Sequence, residues 1–181
     1  MDQAQSKPEL PGAGRRLLAW WPAVIPLLAI PAVYLATAFG ADRLVAKRTH
    51  EALALALLPV ALAACALRLA IRRDRLHLVL AVAVAALLCR EIHFPGAKPG
   101  FYAAAGGIAV WSVFWRKSLL KGLLGRAKGR WFVLTGWAYF FALLIQRRAL
   151  RFLPAEGDLH VQMEEVAESI AHAFVIVFGI L

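Results

Sequence analysis

From residue 17 onward the chain alternates long apolar runs with short, mostly basic connectors. Six runs stand out, at 17–41, 52–71, 76–93, 101–115, 131–152 and 159–181. None shows the period-two alternation of a half-buried strand, and a hydrocarbon core of about 30 Å asks for roughly 20 residues of helix. The pattern predicts an all-α, polytopic membrane bundle of six transmembrane helices, the fourth run being short unless it extends to Leu120. The first run opens with Trp20 and Trp21, residues suited to an interface, and holds Pro22, Pro26 and Pro31, so a kink or break is expected. Residues 1–14 are polar and rich in Pro and Gly and read as a disordered tail, which leaves 15–181 as one transmembrane helical domain. Ala36-Thr37-Ala38 has the small-residue form of a signal cleavage site, but the apolar run before it is longer than a standard signal core and carries three prolines, which favours retention.

Composition strengthens this picture. Hydrophobic residues make up 61% of the chain and mean hydropathy is +0.66, against roughly 45–50% apolar usage in soluble domains. The formal charge of +10 would point to nucleic acid in a soluble protein. Here the basic residues fall between apolar runs, where they orient helices and meet anionic headgroups, so no nucleic-acid partner is expected. Cys65 and Cys89 lie inside apolar runs without metal-type spacing and read as small buried side chains.

Loop charge sets the orientation. Lys7, Arg15 and Arg16, then Arg68, Arg72, Arg73 and Arg75, then Arg116, Lys117, Lys121, Arg126, Lys128 and Arg130 put thirteen basic residues on one side. Arg43, Lys47, Arg48, Arg90, Lys98, Arg147, Arg148 and Arg151 put eight on the other. The excess predicts both termini in the cytoplasm of a multi-pass protein of a bacterial inner membrane; a fourth run that only enters and returns would send the C-terminus outside. The loop between the fourth and fifth runs interleaves its six basic residues with Leu119, Leu120, Leu123 and Leu124, the composition of a segment lying on an anionic inner leaflet. Gly122 to Gly129 superficially resembles a phosphate loop, but lacks the Gly-Lys-Ser/Thr ending and a preceding strand. Ala103, Gly106, Gly107 and Ala109 have the small-residue spacing of a close helix contact, within the bundle or in a homo- or hetero-oligomer. Gly136, Trp137 and Tyr139 in the fifth run read as core or interface belt.

In this orientation most acids and histidines collect on the outer side. Glu164, Glu165, Glu168 and His172 stand at the start of the last run, and 100° per residue places all four within an arc of about 100°. Glu91 and His93 end the third run beside Arg90, ahead of Pro95 and Gly96, and His50 and Glu51 open the second. Such groups are costly inside a bilayer and should face protein, a cation or a partner charge; His172 is too short to snorkel. Three readings follow. Arg90, Arg147, Arg148 and Arg151 would neutralise the glutamates in a structural ion-pair network. Alternatively, Glu165, Glu168, His172 and His93 would hold a divalent Zn, Mn or Fe that activates water, or would act as acid and base, against a lipid-linked or periplasmic substrate. In that case Glu168, His172 and Glu165 would be catalytic, with Arg90, Arg147 and Arg148 as headgroup clamps. The third reading is a relay for an ion- or proton-coupled carrier.

The Arg90-Glu91-Ile92-His93 segment and the Glu164-Glu165-x-x-Glu168 start of the last run resemble features of small uncharacterised bacterial inner-membrane proteins, a resemblance that implies no particular activity. Acids and histidines gathered in a helical bundle are also similar to membrane-embedded ceramidase-type hydrolases, whose Ser, Asp and His-x-x-x-His pattern this chain lacks. The sequence does not place the third and sixth runs side by side.

Overall fold

The computed structural model describes residues 19–92, 95–154 and 156–181, and these are helices and turns with no strand. A 3-10 helix, Trp21–Leu28, runs into α1 (Ala29–Ala38) and the single turn α2 (Asp42–Val45). There follow α3 (Lys47–Arg72), α4 (Arg75–Glu91), α5 (Ala97–Phe114), α6 (Arg116–Leu123), α7 (Arg126–Gln146) and α8 (Glu156–Ile180). The expected tail, 1–14, and His93 lie outside the described residues.

The prolines explain the unusual start. Pro22 occupies the first turn, where a missing N–H costs nothing, whereas Pro26 inside the 3-10 helix removes the N–H that would serve the Ala23 carbonyl. The Trp137 indole N–H of α7 donates to that carbonyl at 2.8 Å, so the break becomes a tie between elements. The link from α3 to α4 is two residues long. Arg73 turns into the left-handed region at φ 50° with its N–H on the Leu69 carbonyl, and Asp74 then caps α4 by accepting from the His77 N–H at 2.8 Å. Gly96, at φ 91°, begins α5 in a conformation that a side chain would strain.

Helix α8 is the centre of the bundle. It packs between α3 and α7, with the 3-10 helix and α1 against it and α7, while α4 lies on α3 and α5 lies on α4. Met163, Ala167, Ala171, Phe174, Val175 and Phe178 are its buried face. Small residues allow the close approach: a Cβ on Gly179 would stand 2.8 Å from Cys65 Sγ. One end of the bundle is closed by Val33, Val45, Phe141, Ile145 and Met163, the other by Leu76, Val79, Leu119 and Phe178. The chain thus runs up and down, and the same end receives the start of α3, the end of α4, the end of α7 and the start of α8.

The expectation of six spans is met in part. Two described segments, Trp21–Ala38 and Lys47–Arg72, are long and apolar enough to cross a membrane, and Pro99–Phe114 is apolar but shorter. Helix α4 stops at 17 residues, Lys128 and Arg130 sit early in α7, and α8 carries Glu156, Glu164, Glu165 and Glu168 in its first half. The two qualifying segments are only 22% buried, unlike a core helix of a soluble domain. Val60, Leu67, Ile71, Val113, Phe114 and Phe140 all stand exposed. One smaller expectation changes: Cys65 is buried but Cys89 is exposed on α4. Of the two alternatives for the small-residue face of α5, a contact within the bundle is not made at its glycines, since among the described residues a Cβ on Gly106 or Gly107 would meet nothing within 4 Å.

Candidate functional site

Helix periodicity on α8 aligns Glu164, Glu168 and His172 one turn apart, with Glu165 and Ser169 on the adjoining strip. The neighbouring helices meet these residues one by one. Arg90, in the last turn of α4, directs Nη2 to Glu168 Oε1 at 3.3 Å and Nε to Glu91 Oε1 at 3.7 Å. Because α4 packs mainly on α3, this long side chain makes the contact between α4 and α8 at this end of the bundle, while Leu76, Val79 and Phe178 meet at the other. Lys47, at the start of α3, lies 3.8 Å from Glu165 and 3.7 Å from Glu51. Gln146 Nε2, at the end of α7, donates to Glu164 Oε1 at 2.8 Å.

Two histidines lie deeper. His50 is buried, with Nδ1 2.8 Å from Ser169 Oγ and Nε2 without a hydrogen-bond partner. His172 is 2% exposed, and its ring lies edge-on to Tyr139 of α7 with centroids 5.8 Å apart. His172 Nδ1 and the Tyr139 hydroxyl are both buried without a hydrogen-bond partner. A buried polar atom left unpaired costs on the order of 1–3 kcal/mol, so both groups call for a hydrogen-bonding partner.

Of the residues singled out in the sequence, Glu164, Glu165, Glu168, Arg90, Glu91, His50 and Glu51 gather at one end of the bundle, with His172 just beneath. The third and sixth runs do meet there, through Arg90. Of the four expected arginines, Arg90 pairs with Glu168 and Glu91, and Lys47, which was not among them, lies beside Glu165 and Glu51. Arg147 and Arg151 are exposed in the turn after α7, and Arg148 lies over Gly157. Among the described residues no three His, Cys, Asp or Glu side chains converge to hold a metal ion. The reason is geometric. Glu165, Glu168 and His172 follow one another down a single helix and turn to Lys47, Arg90 and Tyr139 respectively, so the ligand set expected for Zn, Mn or Fe does not form from them. Its fourth member, His93, lies outside the described residues.

Sequence reasoning missed Ser169, Gln146 and the pairing role of Lys47. Ser169 had a readable signal: a hydroxyl inside an apolar run needs a partner, and it stands four residues after Glu165 and three before His172. The Ser169–His50 pair joins nucleophile-type and base-type groups, yet Ser169 sits in mid-helix, where the backbone N–H groups are spent on the helix itself and none remains to stabilise an oxyanion. The arrangement gathers carboxylates, cations and imidazoles at one end of the bundle. No known protein family, curated protein or solved structure was found to match the chain, so its functional reading rests on these residues.

Proposed function

We propose that the chain is a six-span inner-membrane protein, both termini cytoplasmic, whose outward-facing Glu/His/Arg cluster binds and passes protons or small cations, as an ion- or proton-coupled carrier does. The membrane reading is supported by the two long, apolar, mostly unburied segments and by the separation of basic connectors from the acidic end. The carrier reading rests on one observation: His172, buried one turn deeper than Glu168, keeps Nδ1 unpaired, and its ring lies edge-on to Tyr139, whose hydroxyl is unpaired as well. Glu164, Glu168 and His172 then step inward from the bundle end, and each can take or release a proton.

The second reading, an accessory subunit with a structural ion-pair network, is favoured by the cross-helix contacts Arg90–Glu168, Lys47–Glu165 and Gln146–Glu164. A metal-assisted hydrolase has no group of three or more His, Cys, Asp or Glu side chains among the described residues to support it.

The test is reconstitution into vesicles that enclose a pH-sensitive dye, followed by an imposed potential. The carrier reading expects proton uptake by wild type, abolished in Glu168→Gln and His172→Leu variants that remain folded by circular dichroism. Uptake no faster than in protein-free vesicles, with Glu168→Gln merely less stable, would leave the accessory subunit as the account.

A further inference from the structure

At the end of the bundle opposite the cluster, α5 breaks at Trp115 and the chain resumes as α6, and a cavity of about 610 Å³ opens at this corner. Its wall is divided by chemistry. Arg75, Arg116, Lys117 and Ser118 supply three cations and a hydroxyl, while Val113, Phe114 and Trp115 supply an apolar side. The cations come from two helices that the fold locks together. Leu119 of α6 is buried with Leu76 and Val79 of α4, and a Cβ on Gly122 would lie 3.3 Å from Leu76 Cδ2. Arg75 is oriented as well as near, its guanidinium carbon lying 5.1 Å from the centroid of the Trp115 ring. The nearest acid in sequence, Asp74, is committed to His77 through its N–H and ring. No acid occurs between Trp115 and Trp131.

We propose that this corner is a phosphate-anion site, and that its occupant is the headgroup of an anionic phospholipid rather than a free phosphate. Arg75, Arg116 and Lys117 would hold the phosphate, Ser118 would donate to one of its oxygens, and the acyl chains would run along Val113 and Phe114. A free phosphate has no use for that apolar side; a lipid does. Phe114 is 79% exposed and Leu120 and Leu124 are also exposed, which places apolar side chains on both flanks of the cations. This is the arrangement of an interfacial segment whose charges lie at headgroup depth. The proposal rests on the membrane reading above, because a headgroup reaches this corner only where α6 lies at an interface.

The experiment is native mass spectrometry of the detergent-released protein titrated with phosphatidylglycerol, phosphatidylcholine or inorganic phosphate. Phosphatidylglycerol should bind in preference to phosphatidylcholine, and excess inorganic phosphate should not displace it. Arg116→Gln and Lys117→Gln, both at exposed positions, should each weaken binding roughly fivefold. Arg43→Gln, exposed at the opposite end of the bundle, should leave it unchanged. Equal binding of the two lipids, equal loss in the Arg43 variant, or displacement by inorganic phosphate would each overturn the site. A protein that stays soluble without detergent would instead refute the membrane reading on which it rests.

Discussion

Arg90 Nη2 lies 3.3 Å from Glu168 Oε1, and this contact ties α4 to the central helix although the two backbones barely meet. Both side chains are partly exposed, so the pair should contribute about 1 kcal/mol. Arg90→Gln and Glu168→Gln should each lower the unfolding midpoint in detergent, and the double variant should lose less than the two added together. Strict additivity would mean that the contact contributes nothing.

Removing the Ser169 hydroxyl takes away the side-chain partner of His50 Nδ1, on a buried ring whose Nε2 is already unpaired. Ser169→Ala should therefore cost about 1–3 kcal/mol in denaturant unfolding, more than an exposed serine would. A neutral result would mean that the ring finds another partner.

His172 behaves in the opposite sense. Its Nδ1 is already unpaired, so His172→Leu should leave thermal stability unchanged or raise it, while proton uptake in vesicles falls. Stability that fell along with uptake would argue that the imidazole supports the fold.

At the other end of α8, Gly179→Ala would push a methyl group to 2.8 Å from Cys65 Sγ, and the short cysteine side chain is itself buried. A loss of about 1–3 kcal/mol is expected from such overpacking. Cys65→Ala removes the obstructing sulfur, so Cys65→Ala/Gly179→Ala should be more stable than Gly179→Ala alone. Unfolding curves of the three variants would show no recovery if the clash were relieved elsewhere.

The α4 cap supplies a pH dependence. Burial works against ionisation of Asp74, but the His77 N–H and ring bond to the carboxylate, and with Lys128 they hold it below its ordinary value of 3.8. A carboxylate whose folded value is depressed contributes stability that is present above the unfolded value. That contribution is lost as pH falls below 3.8 and through the folded value. Asp74→Asn keeps an N-cap oxygen and removes the charge, so it should flatten this part of the acid unfolding profile. An unchanged profile would show that other carboxylates account for acid loss.

Much of this architecture was legible in the chain. The apolar runs place α3, α4, α5, α7 and α8 within six residues of their observed limits, because helix formation in an apolar run depends on neighbours three and four residues away, whereas the first run, 17–41, divides into the 3-10 helix and the shorter α1. Pro26 announced the break that became the 3-10 helix, and the strip Glu164, Glu168, His172 followed from 3.6-residue periodicity. Partner choice was not legible. Glu168 had Arg90, Arg147, Arg148 and Arg151 to choose among, and only the packing of α8 against α3 and α7 selected Arg90 and gave Glu165 to Lys47. The meeting of Ser169 with His50, 119 positions apart, and of His172 with Tyr139 likewise came from packing. The same packing withheld a metal site, since ligands aligned along one helix need donors from its neighbours and the described neighbours present Lys47, Arg90 and Tyr139 instead. Local sequence determines which residues share a face of a helix; which face meets which is decided by long-range contacts among helices, and those depend on how small residues such as Ala167, Ala171 and Gly179 let the helices close together.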